Sequence, residues 1–290
     1  MIFFIKKVYK IIKLFFFKIK YNFFISQNRK KKFKNDFLYF LSKIKSGKNF
    51  GFSRFSDGEL FIIQNKKLII DIDHWILDNK KTYARFSVNE KKEFLPERDQ
   101  FYREKLIESL VFKKDNYFKG IPCSCCSGYK NVKFLRSFCE DDENITFSNL
   151  LQNGNYNLFI NVFLEEIKKR DIILIANKNL SSKNFPFDIK KIFTVGENCL
   201  INDYSLIKKL KIFIKENNIK NYIFLISAAS LSNVIVHELF KEHDENTYID
   251  IGSTLNPLLG IDGWQGSRTY LKEHWENQNP VQYLNKNCYW

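Results

Sequence analysis

The chain has 290 residues, 44% hydrophobic and 27% charged, with 11 Gly and 5 Pro. That supports one globular domain of enzyme size plus an appendage, excludes disorder as the main state and a linker-dominated molecule, and leaves no run near the ~18 apolar residues of a spanning helix. The formal charge is +15, but residues 1–35 hold eleven Lys and Arg and no acid, leaving 36 basic and 32 acidic side chains for the rest, which excludes a uniformly basic nucleic-acid-binding body.

Residues 2–20, wound at ~100° per residue, place Lys6, Lys7, Lys10, Lys13, Lys18 and Lys20 within roughly 160°. Phe4, Ile5, Val8, Ile12, Phe15, Phe16 and Ile19 occupy the opposite arc. Such a basic amphipathic helix suits an anionic membrane surface, and Arg29–Lys32 with Lys34 would add about 1 kcal/mol per charge there. A helix packed on the body and a nucleic-acid arm are the alternatives. Lysines interrupt the apolar region and no small-residue cleavage site follows, which speaks against a signal peptide. The expected organisation is therefore a membrane-surface segment over 1–35 and a globular domain over 36–290.

Residues 36–46 read as a short helix started by Asp36, 50–55 as a strand and Gly58–Asn65 as a helix. Residues 66–117 are polar and mixed, with one helix near Gln100–Phe112. Strand-like runs then recur at 118–123, 144–147, 171–176, 191–195, 221–227 and 247–251, with helix-like stretches at 130–139, 155–169, 203–217 and 231–242. The near-continuous apolar runs 171–176 and 221–227 suit a sheet covered on both faces. Strand–helix–strand over 221–251, with Ser230 as the helix N-cap, is a βαβ unit. The expected fold is α/β, a doubly wound, mostly parallel, Rossmann-like sheet, with an aromatic and polar 260–290 folding over the body. Ligands then bind beyond the carboxyl ends of the strands.

The six cysteines, Cys123, Cys125, Cys126, Cys139, Cys199 and Cys288, include one CxxC without the second pair of a structural zinc site, so free thiols in a reducing compartment are expected. His74, His237, His243 and His274 form no ligand pattern and read as surface or satisfied core residues.

Three segments on the expected binding rim could carry chemistry. In Arg54-Phe55-Ser56-Asp57-Gly58-Glu59-Leu60, two carboxylates flank a glycine where they could converge on a hard cation, with Arg54 set for a phosphate. The same string is also a capping box, Ser56 and Glu59 bonding each other's amides. Ser227-Ala228-Ala229-Ser230 precedes a helix N-terminus, either a phosphate seat or a plain strand-to-helix turn. Asp250, followed by Gly252 and Ser253, could hold a sugar hydroxyl, act as a base, or cap its own loop.

The string Arg54–Leu60 resembles the R-[FY]-G-D-G-E motif of GT-D-type glycosyltransferases, with Ser56 in place of the usual Gly. Phe224–Ala229 and Tyr248–Ser253 resemble the family's C-terminal strand–helix–strand. The resemblance implies a nucleotide-sugar-dependent transferase, with Asp57 and Glu59 as its D-x-E metal motif for Mn²⁺ or Mg²⁺. Arg54, Ser227, Ala228, Ser230, Gly252 and Ser253 would hold the donor, a UDP-sugar by family default, and Asp250 would be the base. The acceptor would be a lipid- or protein-linked saccharide at the cytoplasmic face of the membrane, where residues 1–35 would attach the enzyme peripherally. No nucleic-acid partner is expected. The competing readings are a nucleic-acid-associated protein using its basic arm and a non-catalytic scaffold.

Overall fold

The computed structural model describes residues 31–71, 74–78, 80–83, 91–140, 142–181, 185–262 and 268–276. The amphipathic helix expected over 2–20 and Cys288 lie outside the described residues. Helix α1 runs through residues 31–45, so it does not start at Asp36. Phe33, Phe37, Phe40, Leu41 and Ile44 recur at helical spacing and are buried, and Lys32 pairs with Asp36 one turn on at 2.9 Å, as an i,i+4 pair does. Packing of that stripe carries the helix past residue 35.

The chain continues through β1 (Gly51–Arg54), α2 (Asp57–Ile63), β2 (Leu68–Asp71), β3 (His74–Leu77), β4 (Lys80–Tyr83), β5 (Lys92–Phe94), α3 (Gln100–Val111), β6 (Tyr117–Ile121), α4 (Ser124–Ser127), α5 (Tyr129–Ser137) and β7 (Ile145–Phe147). Next come α6 (Tyr156–Leu158) and α7 (Leu164–Ile167), joined through the π-helical segment Phe159–Phe163, then β8 (Ile172–Asn177), β9 (Ile189–Val195), α8 (Cys199–Asn202) and α9 (Leu206–Glu216). β10 (Ile223–Ile226), α10 (Leu231–Glu242), β11 (Thr247–Asp250), α11 (Asn256–Leu259) and α12 (Thr269–Trp275) complete it.

Seven strands form one parallel sheet in the order β7-β6-β1-β11-β10-β8-β9. The chain builds outward from β1 to β6 and β7, crosses to β8 and β9, and returns with β10 and β11 to fill the gap. The sheet is covered on both faces, and alternate residues of each strand enter opposite cores. Ile172, Leu174, Ile223, Leu225 and Ile249 pack with α1, the 156–167 helices and Tyr270 and Leu271 of α12. Ile173, Ile175, Phe224, Ile226 and Tyr248 pack with α2, α3, α9 and α10. The expected doubly wound α/β fold is therefore present.

Residues 66–117 differ from the expectation. They contain a second, four-stranded antiparallel sheet in the order β4-β3-β2-β5. Its strands have only three or four residues, too short to write a legible alternation, and its pairing is carried by register such as Leu68 opposite both Leu77 and Phe94. Among the described residues, no helix is long and apolar enough to cross a membrane.

Candidate active site

The parallel strands end on a common edge, where their loops enclose a cleft of ≈ 470 Å³. Every residue singled out as a site candidate lines it: Arg54, Asp57, Glu59, Ser227, Ala228, Ser230, Asp250, Gly252 and Ser253. The topology explains this convergence. β1 and β11 are neighbours, and β11 pairs with β10, so three loops far apart in sequence leave the sheet side by side, the place where open α/β sheets bind ligands.

Arg54, the last residue of β1, is 9% exposed. Its Nε donates to the Ser148 carbonyl, whereas its buried Nη1 has no hydrogen-bond partner and stands 4.0 Å from Asp250 Oδ1. Asn233 of α10 secures this strand end, donating to Ser53 Oγ at 3.1 Å and the Arg54 carbonyl at 2.8 Å. A buried guanidinium with an unsatisfied N–H is a prepared anion contact. Gly252 makes room for it: a side chain there would bring its Cβ to 2.3 Å from Arg54 Nη1, at a φ of +51° that favours glycine.

Asp250 ends β11 with 5% exposure and accepts the Gly252 amide at 3.0 Å. Burial pushes its carboxyl up to about 7; Arg54 opposes that rise and Glu59 adds to it. The side chain is thus poised between acid and base near neutral pH.

At the Asp57-Gly58-Glu59 turn the two carboxylates separate. Asp57 is exposed, and its Oδ1 meets Ser56 Oγ and the Gly58 amide, both at 3.2 Å. Glu59 is buried, and the capping box is formed, with the Ser56 amide donating to Glu59 Oε2 at 3.0 Å. Glu59 Oε1 accepts from Ser230 Oγ and, at 3.4 Å, from Lys92 Nζ. Burial alone would raise the Glu59 carboxyl, but Lys92, Ser230 and the Ser56 amide outweigh it and hold it below the usual range. An ion held by both carboxylates does not fit this arrangement: each Glu59 oxygen already has its donors, and an ammonium stands against one of them. Asp57 alone keeps an open oxygen.

The Ser227–Ser230 turn also departs from expectation. Ser230 has helical backbone angles and makes no side-chain cap, because its hydroxyl is turned to Glu59 and Lys92. Ser232, inside the helix, instead takes up the Ala228 amide of the turn at 2.9 Å. Ala229 takes a left-handed φ of +42°, an uncommon and mildly strained conformation for a non-glycine residue. The Ala229 and Ser230 amides at the start of the 12-residue helix α10 donate to no protein group among the described residues, the usual condition of an anion seat. Ser253 Oγ is taken by Arg268 Nε at 3.1 Å and the Tyr270 hydroxyl at 3.3 Å, which draws the α12 segment over the cleft.

Lys92, Asn233 and Ser232 were not visible as site residues in the sequence. Lys92 falls in the polar, mixed stretch 66–117, which shows no strand period, and the other two lie inside a helix whose apolar spacing masks them. Among the histidines, His237 is 3% exposed; its Nδ1 makes no hydrogen bond and lies 3.6 Å from Glu238 Oε1, so it is a buried residue but not a hydrogen-bonded one at that nitrogen. Burial pushes it down to about 4, and it is neutral at physiological pH. It lies near Glu108 and Glu238, carboxylates already paired with Lys105 and Lys211 and absent from the cleft lining. Cys123, Cys139 and Cys199 are buried and form no disulfide, and burial pushes the latter two thiols up to about 11.

No protein-family model matches the chain, and no curated protein matches it in sequence. Solved structures do. A selenomethionine-substituted domain of unknown function 1792 (DUF1792) superposes with a TM-score of 0.50 at 16% identity, over 79% of each chain. A second DUF1792 domain, described as having a distinct glycosyltransferase fold, gives 0.47 at 15% identity over 79% of each. A DUF1792 glycosyltransferase from Streptococcus sanguinis gives 0.48 at 14%, over 81% of this chain and 82% of that one. At these identities the first likeness shows a shared fold.

Proposed function

We propose that this protein is a glycosyltransferase that takes its sugar from a nucleotide-diphosphate donor, a UDP-sugar first among the candidates. It passes the sugar to a saccharide acceptor that is lipid- or protein-linked. The observation that carries the reading is Asp250: a buried carboxyl held up to about 7, 4.0 Å from a guanidinium with an unpartnered N–H, at the binding edge of an α/β sheet.

Transfer with inversion needs three things of the protein. A base must take the acceptor hydroxyl proton as its oxygen bonds to the anomeric carbon. The bond from that carbon to the diphosphate oxygen must break, and the charge left on the diphosphate must be stabilised. Asp250 suits the first role. Arg54 and the Ala229 and Ser230 amides suit the last, because they are donors fixed before the ligand arrives. Asp57 and the α12 segment, with Arg268, Tyr270 and Glu273 on the cleft wall, would meet the sugar and the acceptor.

The test is a calorimetric panel of UDP-, GDP- and dTDP-sugars, followed by detection of free nucleoside diphosphate in the presence of membrane saccharides. One nucleotide class should bind at micromolar level and be released as product. Failure of all three classes to bind would end the reading and favour a scaffold that keeps the fold alone.

The membrane placement is a separate proposal, resting on the lysine arc of residues 2–20. The full chain should co-sediment with vesicles rich in phosphatidylglycerol and not with neutral vesicles. Changing Lys6, Lys7, Lys10 and Lys13 to Gln should abolish that, at about 1 kcal/mol per charge. Undiminished sedimentation of the variant would remove the proposal without touching the catalytic one.

A further inference from the structure

Lys92 sits against the Glu59 carboxylate of the Asp57-Gly58-Glu59 turn. Its Nζ donates to Ser230 Oγ at 2.5 Å and to Glu59 Oε1 at 3.4 Å. It also lies so close over the turn that a Cβ on Gly58 would come within 2.7 Å of it; the glycine makes room for this ammonium. The side chain is 14% exposed, faces a Glu59 carboxylate that is 9% exposed, and lines the cleft beside Asp57.

Its backbone is anchored. The Asn198 amide donates to the Lys91 carbonyl at 3.0 Å, and Asn198 Oδ1 accepts the Glu93 amide at 3.1 Å, so β5 is held on both sides of Lys92. An ammonium has three N–H donors. Two are engaged by Ser230 and Glu59, which leaves one for a ligand oxygen, next to the amides at the start of α10.

From this we infer that Lys92 is the resident cation of the site. It binds the diphosphate of the donor directly, so nucleoside diphosphate binding needs no divalent ion, and a metal ion and Lys92 compete for Glu59. The inference rests on the glycosyltransferase reading and adds to it the group that meets the diphosphate. It also accounts for the poor fit of an ion between Asp57 and Glu59: the Coulombic place of that ion is already filled.

The experiment is calorimetric titration of UDP, GDP and dTDP into the whole protein with EDTA and with Mn²⁺, with thermal unfolding recorded alongside. For the nucleotide that binds, the affinity in EDTA should lie within about threefold of that in Mn²⁺, a difference of under 1 kcal/mol. Lys92→Met should weaken binding in EDTA by about tenfold or more, the loss of one charge-assisted hydrogen bond. Mn²⁺ should recover part of that loss, because Glu59 is then free to hold the ion.

Lys92→Met leaves Glu59 unpaired, so the double variant Glu59→Gln/Lys92→Met serves if the single one does not fold. It should bind weakly in EDTA and gain little from Mn²⁺. Wild-type binding abolished by EDTA would overturn the inference and leave the glycosyltransferase reading standing. Folded Lys92→Met that binds in EDTA like the wild type would do the same, and would make Lys92 a purely structural partner of Glu59. No binding of any of the three nucleotides in either condition would overturn the function itself.

Discussion

Asp250→Asn is expected to slow sugar transfer by about 10²–10⁴-fold, the usual contribution of a positioned base, while making the folded protein more stable at alkaline pH. Both effects have one cause. The wild-type carboxyl is buried, and that burial pushes it up to about 7 from an ordinary 3.8. A folded carboxyl with a raised pKa holds its proton where the unfolded chain has lost it. Its share of the stability is therefore present below about pH 4 and is lost as pH rises through about 7. Above that, the ionised carboxylate in its buried site destabilises the fold by an amount on the order of 4 kcal/mol, if the whole shift is counted.

Asparagine keeps the acceptor for the Gly252 amide and removes the charge. It also deprives Arg54, 4.0 Å away, of a counter-charge, which offsets part of the gain. The variant should therefore melt near the wild type at about pH 5 and several degrees above it at about pH 8.5. The wild-type kcat/KM should rise with pH and level off above about 7, since the base works ionised. A flat pH–rate profile between about 6 and 8, or a variant no more stable than wild type in alkali, would remove Asp250 from the base role.

What the sequence disclosed, and what it hid, divides along physical lines. The parallel sheet was legible because strands buried on both faces must be apolar throughout, as in Ile172–Ala176 and Ile223–Ile226, and because a helix of normal length with a clear stripe, Leu231–Glu242, lies between two of them. The binding rim followed from that topology. β2–β5 stayed hidden because strands of three or four residues write almost no period, and with them went Lys92. Asp36 looks like an N-cap and so hides the true extent of α1, which the buried Phe33 and the Lys32–Asp36 pair carry through it. The deepest ambiguity was Ser56-x-x-Glu59. A capping box and a metal motif use the same residues at the same spacing, and Lys92 and Ser230, distant in sequence, favour the first for Glu59.

That ambiguity yields a second large effect. Glu59→Ala should destabilise the protein by about 3–5 kcal/mol, the loss typical when one member of a buried ion pair is removed. It strips the acceptor from the Ser56 amide, from Ser230 Oγ and from Lys92 together, leaving a mostly buried ammonium without its counter-charge. Asp57→Ala, two residues away, should lose only ~0.3–1 kcal/mol, the contribution of an exposed acid in the first turn of a helix, and its effect should instead fall on ligand binding. Urea unfolding of the two variants reads the contrast directly.

The pH dependence supplies an independent check. Glu59 is held below its ordinary range, so its stabilisation is present above about 4.5 and is lost as pH falls through the lower folded value. Wild type and Glu59→Ala should therefore converge in stability in acid and separate in neutral solution with wild type the more stable, whereas in the Asp250 pair it is the variant that is more stable at high pH. Equal, small stability losses in both variants, with equal losses of metal-dependent nucleotide binding, would return Glu59 to the side of Asp57 as a metal ligand. The capping box would then be the free protein's way of holding that carboxylate until an ion arrives.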